Sequence, residues 1–153
     1  MKFIIIILLF VLELHAVNQN DIMGNWRSTA RTLNNGTETI EKEYLTLNAN
    51  RTFSLIILVS VKKDQAYVKD LRIEVSGNWD SRDNTLVYVI KRVNVPAAKE
   101  VYLISQRSLE NLAANFKDKY ENDDIHISKI NYTDSTNLTV INEKGRETSY
   151  RRQ

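Results

Sequence analysis

The chain has 153 residues, with 21 basic against 19 acidic side chains, a formal net charge of +2 and no cysteine. Charges of both signs are interleaved, so no polyanion-binding stripe forms and nucleic acid is not an expected partner. The absence of thiols excludes a disulfide framework, and two histidines are too few for a zinc or haem centre, so no metal and no cofactor is expected.

At the start, Met1 and Lys2 give a short positive region, residues 3–12 are unbroken apolar, and Leu14-His15-Ala16 ends the run on a small residue. That is the pattern of a cleavable secretory signal over residues 1–16. The apolar run is about 10 residues, half of the roughly 20 that a spanning helix needs, so no membrane span is expected after cleavage. An exported chain without cysteine in an oxidising compartment fits a bacterial envelope, periplasmic or secreted, and there is no thiol near the cut to take a lipid. Residues 17–153 are then of a size for one domain with one core.

From there the sequence alternates in short runs separated by Asn, Asp and Gly turns, which predicts antiparallel β-structure. A first strand over 26–32 and a second over 39–47 flank the turn Asn34-Asn35-Gly36. After Asn48-Ala49-Asn50-Arg51, Phe53, Leu55, Ile57, Val59 and Val61 alternate with Ser54, Ile56, Leu58 and Ser60 in a strand that is apolar on both faces at its centre. The next strand has the cleanest alternation: Leu71, Ile73, Val75, Gly77 and Trp79 on one face, Arg72, Glu74, Ser76 and Asn78 on the other, so the first set faces a core. A fifth strand over 85–93 leads to the single proline, Pro96.

The period then changes. Leu109, Leu112, Ala113, Phe116 and Tyr120 recur at intervals of three and four, which predicts one amphipathic helix over 106–120, with Ser105 or Ser108 as its cap. Strands return at 125–132, 138–142 and 146–152. Eight strands with no linker make a single closed antiparallel up-and-down barrel the economical arrangement, a two-sheet sandwich being the alternative. The helix lies between the fifth and sixth strands, either on the outer wall or as a lid, with Leu109, Leu112 and Phe116 closing over an open end.

Gly24-Asn25-Trp26 opens the first strand and Tyr150-Arg151-Arg152 ends the last, with a second Gly77-Asn78-Trp79 between them. In these features the chain resembles the lipocalin-like barrels, in particular small bacterial exported ones. The resemblance implies that Trp26, following Gly24, closes one barrel end with Arg151 or Arg152 packed over its ring. The Thr-Asp-Tyr motif of the classical family is absent.

Catalytic chemistry finds little support. His126, the one histidine beyond the signal, alternates with Ile125 and Ile127 and reads as an outward-facing strand residue, and no Gly-x-Ser-x-Gly turn accompanies it. Glu41 and Glu43 share a face that reads as solvent, and Glu74 points outward, so no carboxylate pair is seen to converge. The expected function is therefore non-enzymatic: a small, mostly apolar ligand held in the barrel interior by Phe53, Leu55, Ile57, Leu71, Ile73, Val75 and Val87. The alternative is an interaction module or inhibitor with a solid core, whose partner is an envelope protein.

Overall fold

The computed structural model describes residues 16–153. The expected secretory segment thus lies, except for Ala16, outside the described residues. The elements run α1 (Gln19–Ile22), β1 (Gly24–Asn34), β2 (Thr37–Leu47), β3 (Thr52–Lys63), β4 (Ala66–Arg82), β5 (Thr85–Asn94), β6 (Glu100–Tyr102), α2 (Gln106–Glu121), β7 (Ile125–Thr133), β8 (Asn137–Asn142) and β9 (Glu147–Arg152).

All pairings are antiparallel, and the order β3-β2-β1-β9-β8-β7-β5-β4 is closed by pairing of β3 with β4. The result is the expected eight-stranded closed barrel, in which closure removes exposed sheet edges. The long helix lies between the fifth and sixth barrel strands. The sequence did not predict β6, a short strand outside the circuit that pairs with Tyr67, Val68 and Lys69 of β4. Its Tyr102 stacks on Tyr67 at 5.7 Å between ring centroids. Three exposed residues leave no alternation to read.

The core follows from the inner faces of β3 and β4. Phe53, Ile57 and Val59 are buried, as are Leu71, Ile73, Val75 and Trp79, while Arg72 and Glu74 form an ion pair at 2.6 Å on the outer face of β4. Each fully buried aliphatic side chain of this kind contributes about 1.5–3 kcal/mol relative to exposure. At Gly77 a side chain has no room: a Cβ there would lie 2.0 Å from the Val89 carbonyl oxygen, beside an irregularity in the β4–β5 ladder.

One barrel end is closed by a clasp. Trp26 is wholly buried, and its Nε1–H donates to the Ile22 carbonyl of α1 at 2.8 Å. The Arg152 guanidinium lies 4.2 Å from the Trp26 ring centroid and donates to the carbonyls of Met23, Asp21 and Ser135, each at 2.7 Å. Gly24 makes this possible, because its φ is +124° and a Cβ would stand 2.5 Å from Arg152 Nη1. Of the two candidate arginines, Arg152 therefore makes the stack, and the exposed Arg151 pairs in register with Arg27. The second Gly-Asn-Trp repeats the arrangement at lower intimacy: Arg51 sits 5.0 Å from the Trp79 ring, whose Nε1–H donates to the Asn48 carbonyl at 3.0 Å.

Helix α2 starts at Ser105, whose Oγ accepts the Ser108 N–H at 3.1 Å. It packs on β4 and β5. Leu109, Leu112, Phe116 and Tyr120 are half-buried against the hydrophobic core, while Glu110, Asn111, Lys117 and Asp118 are exposed. No helix among the described residues is long and apolar enough to cross a membrane.

Candidate functional site

The barrel encloses a cavity of about 510 Å³ that begins at Leu45, the register partner of Trp26, and runs toward the end away from the clasp. That lies within the range of roughly 300–1,000 Å³ typical of small-molecule sites. Its apolar wall comes from Leu45 of β2, Phe53 and Leu55 of β3, Val75 of β4, Ile90 of β5 and Val140 of β8. Leu45, Leu55 and Val75 are register partners across three adjacent strands and so form one continuous layer. The mouth is bordered by Asp118, Lys119 and Tyr120 at the C-terminal end of α2, and by Glu143, Lys144 and Arg146 around the β8–β9 turn.

Three of the seven residues expected to hold a ligand in the interior line this cavity: Phe53, Leu55 and Val75. Ile57, Leu71 and Ile73 are buried in solid core and do not reach the cavity. Val87 is a correction. Leu86 and Ile90 are buried and Tyr88 lines the cavity, so alternation turns Val87 to the outer wall. Every residue from 86 to 90 is apolar or aromatic, and the phase of that strand is therefore not readable from its sequence. The lid residues Leu109, Leu112 and Phe116 pack on the core, and only the last turn of α2 reaches the rim.

Two further corrections bring polar groups inward. His126 lines the cavity on the same side as the buried Ser128 and Ile130, while Ile125 and Ile127 face outward at 51% and 44% exposure. The apolar neighbours, not the histidine, are the outward set. Likewise Glu41 and Glu43 point inward: Leu45 and Leu47 are buried, and period two carries the inner face on to Glu43 and then Glu41. The buried leucines at the end of β2 were the available signal for both carboxylates. Glu74 does point outward as expected, where Arg72 and Asn94 hold its carboxylate below the usual range by hydrogen bonding.

The polar groups converge. Glu43 accepts a hydrogen bond from the Tyr150 hydroxyl, and Glu41 accepts from Arg146 Nη2 at 3.0 Å. Tyr88 and His126 are register partners on neighbouring strands, and the Tyr120 ring lies 5.8 Å from the imidazole. Burial pushes the phenols of Tyr88, Tyr120 and Tyr150 well above the usual tyrosine range, with the Glu43 charge adding to each. His126 Nε2 is buried and has no hydrogen-bond partner among the described residues. A buried polar atom of this kind is normally satisfied, by protein or by something bound.

The arrangement is an apolar chamber with a cluster of hydrogen-bonding groups on one side, suited to holding a small molecule and fixing its orientation. No protein-family model matches the sequence, and no curated protein matches it at significance.

Proposed function

We propose that this chain is an exported, lipocalin-like, non-enzymatic binding protein that holds one small, mostly apolar molecule in its barrel. The observation that carries the reading is the cavity itself, about 510 Å³, between the clasped end and α2, walled by Leu45, Phe53, Leu55, Val75, Ile90 and Val140. Small barrels are often filled by their own side chains. Here the inner face changes from leucine to glutamate along β2 and space is left between the strands. The secretory signal pattern of residues 1–16 supports work in the periplasm or outside the cell. The packing of α2 at the mouth supports a gating role for its C-terminal turn.

Titration of the neutral apolar fluorophore N-phenyl-1-naphthylamine tests the reading. Saturable binding of one probe per chain is expected. A linear, unsaturated rise in fluorescence up to the probe's solubility limit would count against a carrier.

A second reading, an interaction module of the envelope, is favoured by one observation. Ile125 and Ile127 are exposed on the outer wall, with Val87 the register partner of Ile127 and Val89 that of Ile125. An apolar outer patch of this kind fits a protein partner. Under that reading, replacing Ile125 by serine weakens capture of the partner and leaves probe binding unchanged, since Ile125 does not line the cavity.

A further inference from the structure

Resting on the cavity reading above, we infer that the ligand carries a protonated amine, seated against Glu43 with its apolar body toward Leu45, Leu55 and Val75.

Glu43 is a carboxylate beside the apolar wall of Leu45, Leu55 and Val75, and its hydrogen-bond partner among the described residues is one neutral hydroxyl, that of Tyr150. The nearest guanidinium, Arg146, is held by Glu41. Arg146 and Glu41 neutralise each other, which leaves the Glu43 carboxylate without a paired cation among the described residues. Lys119 and Lys144 lie at the mouth, where water screens them.

The remaining polar groups can accept as well as donate. His126 Nε2, buried without a partner among the described residues, accepts when the proton is on Nδ1, and the phenols of Tyr88 and Tyr120 line the same cavity, each oxygen able to accept. A primary ammonium presents three donors and one positive charge, and so satisfies a carboxylate, an imidazole nitrogen and a phenol oxygen at once. The rings of Phe53, Tyr88, Tyr120 and Tyr150 all border the cavity, with Phe53 and Tyr88 in edge contact at 4.9 Å. Aromatic faces attract a cation most strongly where water is excluded. A fatty carboxylate fits the same apolar walls but meets the charge of Glu43, and the cavity-lining guanidinium, Arg146, is already paired with Glu41.

Isothermal titration calorimetry at neutral pH with three probes of equal chain length, octylamine, 1-octanol and octanoate, separates the head group from the apolar body. The amine is expected to bind most tightly, the alcohol next and the carboxylate least. Glu43→Gln is expected to weaken octylamine by about ten-fold or more, the size of a lost charged hydrogen bond, and to leave 1-octanol within about two-fold. The ranking with the unmodified protein stands independently of whether the variant folds.

If octanoate or 1-octanol binds as tightly as octylamine, or if a folded Glu43→Gln variant keeps the amine's advantage, the inference is overturned and the cavity reading stands. If none of the three binds, the cavity reading itself falls and takes the inference with it.

Discussion

Arg152→Ala removes the clasp that joins the last strand to the first. Four interactions go at once: a cation 4.2 Å from a buried indole, and hydrogen bonds to the Met23, Asp21 and Ser135 carbonyls. A cation over tryptophan is worth roughly 0.5–2 kcal/mol. Charged hydrogen bonds add about 1.5–3 kcal/mol each when isolated from water, but two of these three are exposed and water replaces them in part. A loss of about 2–4 kcal/mol is therefore expected, read as a shift of the urea midpoint at unchanged slope by tryptophan fluorescence. The exposed neighbour Arg151→Ala is the control and should lie within ~0.5 kcal/mol of the parent. Gly24→Ala approaches the same clasp from the other side. It strains a backbone with φ of +124° and drives a Cβ to 2.5 Å from Arg152 Nη1. Part of its cost is loss of the Arg152 contacts, so the double variant should lose less than the sum of the two singles. Strict additivity, or equal effects of Arg151→Ala and Arg152→Ala, would refute the coupling of Gly24, Trp26 and Arg152.

Phe116→Ala is expected to cost about 2 kcal/mol, less than the roughly 3–5 kcal/mol of a fully buried phenylalanine because Phe116 is half-exposed, and to speed probe release if α2 gates the mouth. Stopped-flow dissociation checks the second part, and an unchanged rate would leave α2 a fixed cover. Tyr88, Tyr120 and Tyr150 should titrate late: their phenols are raised above the unfolded value, so the stability they contribute is fully present below about pH 10 and is lost as pH rises beyond it. Absorbance at the phenolate band should show these three ionising together with alkaline unfolding, and smooth titration of all seven tyrosines near pH 10 would contradict the buried cluster.

Much of the barrel was legible because period-two alternation and turn residues are local signals. The strand from Leu71 to Trp79 shows this best: large apolar side chains alternate with Arg72, Glu74 and Asn78, and only one phase buries them. The helix was equally plain from the spacing of Leu109, Leu112, Phe116 and Tyr120. The clasp was expected only through the resemblance of Gly24-Asn25-Trp26 and Tyr150-Arg151-Arg152 to the lipocalin-like barrels, and the pairing of β1 with β9 brings the two segments together. The site was legible in part. Its apolar half, Phe53, Leu55 and Val75, follows from alternation, whereas its polar half contradicts the rule that carboxylates and histidines face water. Phase in β2 is fixed by Leu45 and Leu47, and that signal outweighs the charge of Glu41 and Glu43. In β7 the outward isoleucines inverted the reading of His126, since an apolar outer patch and an apolar core leave the same trace in a short strand. Pairing of β6 with β4 is a non-local event that no local pattern reports.

The central claim is that the cavity is occupied by one small molecule in the protein's working state. Native mass spectrometry of the protein purified without denaturation from the cells that make it tests this directly, alongside a Leu55→Trp variant that fills the layer between Leu45 and Val75. The account predicts one added small-molecule mass per chain in the parent, released on collisional activation, and none in the folded Leu55→Trp variant. A parent chain carrying no added mass, or an identical adduct on both proteins, would contradict it.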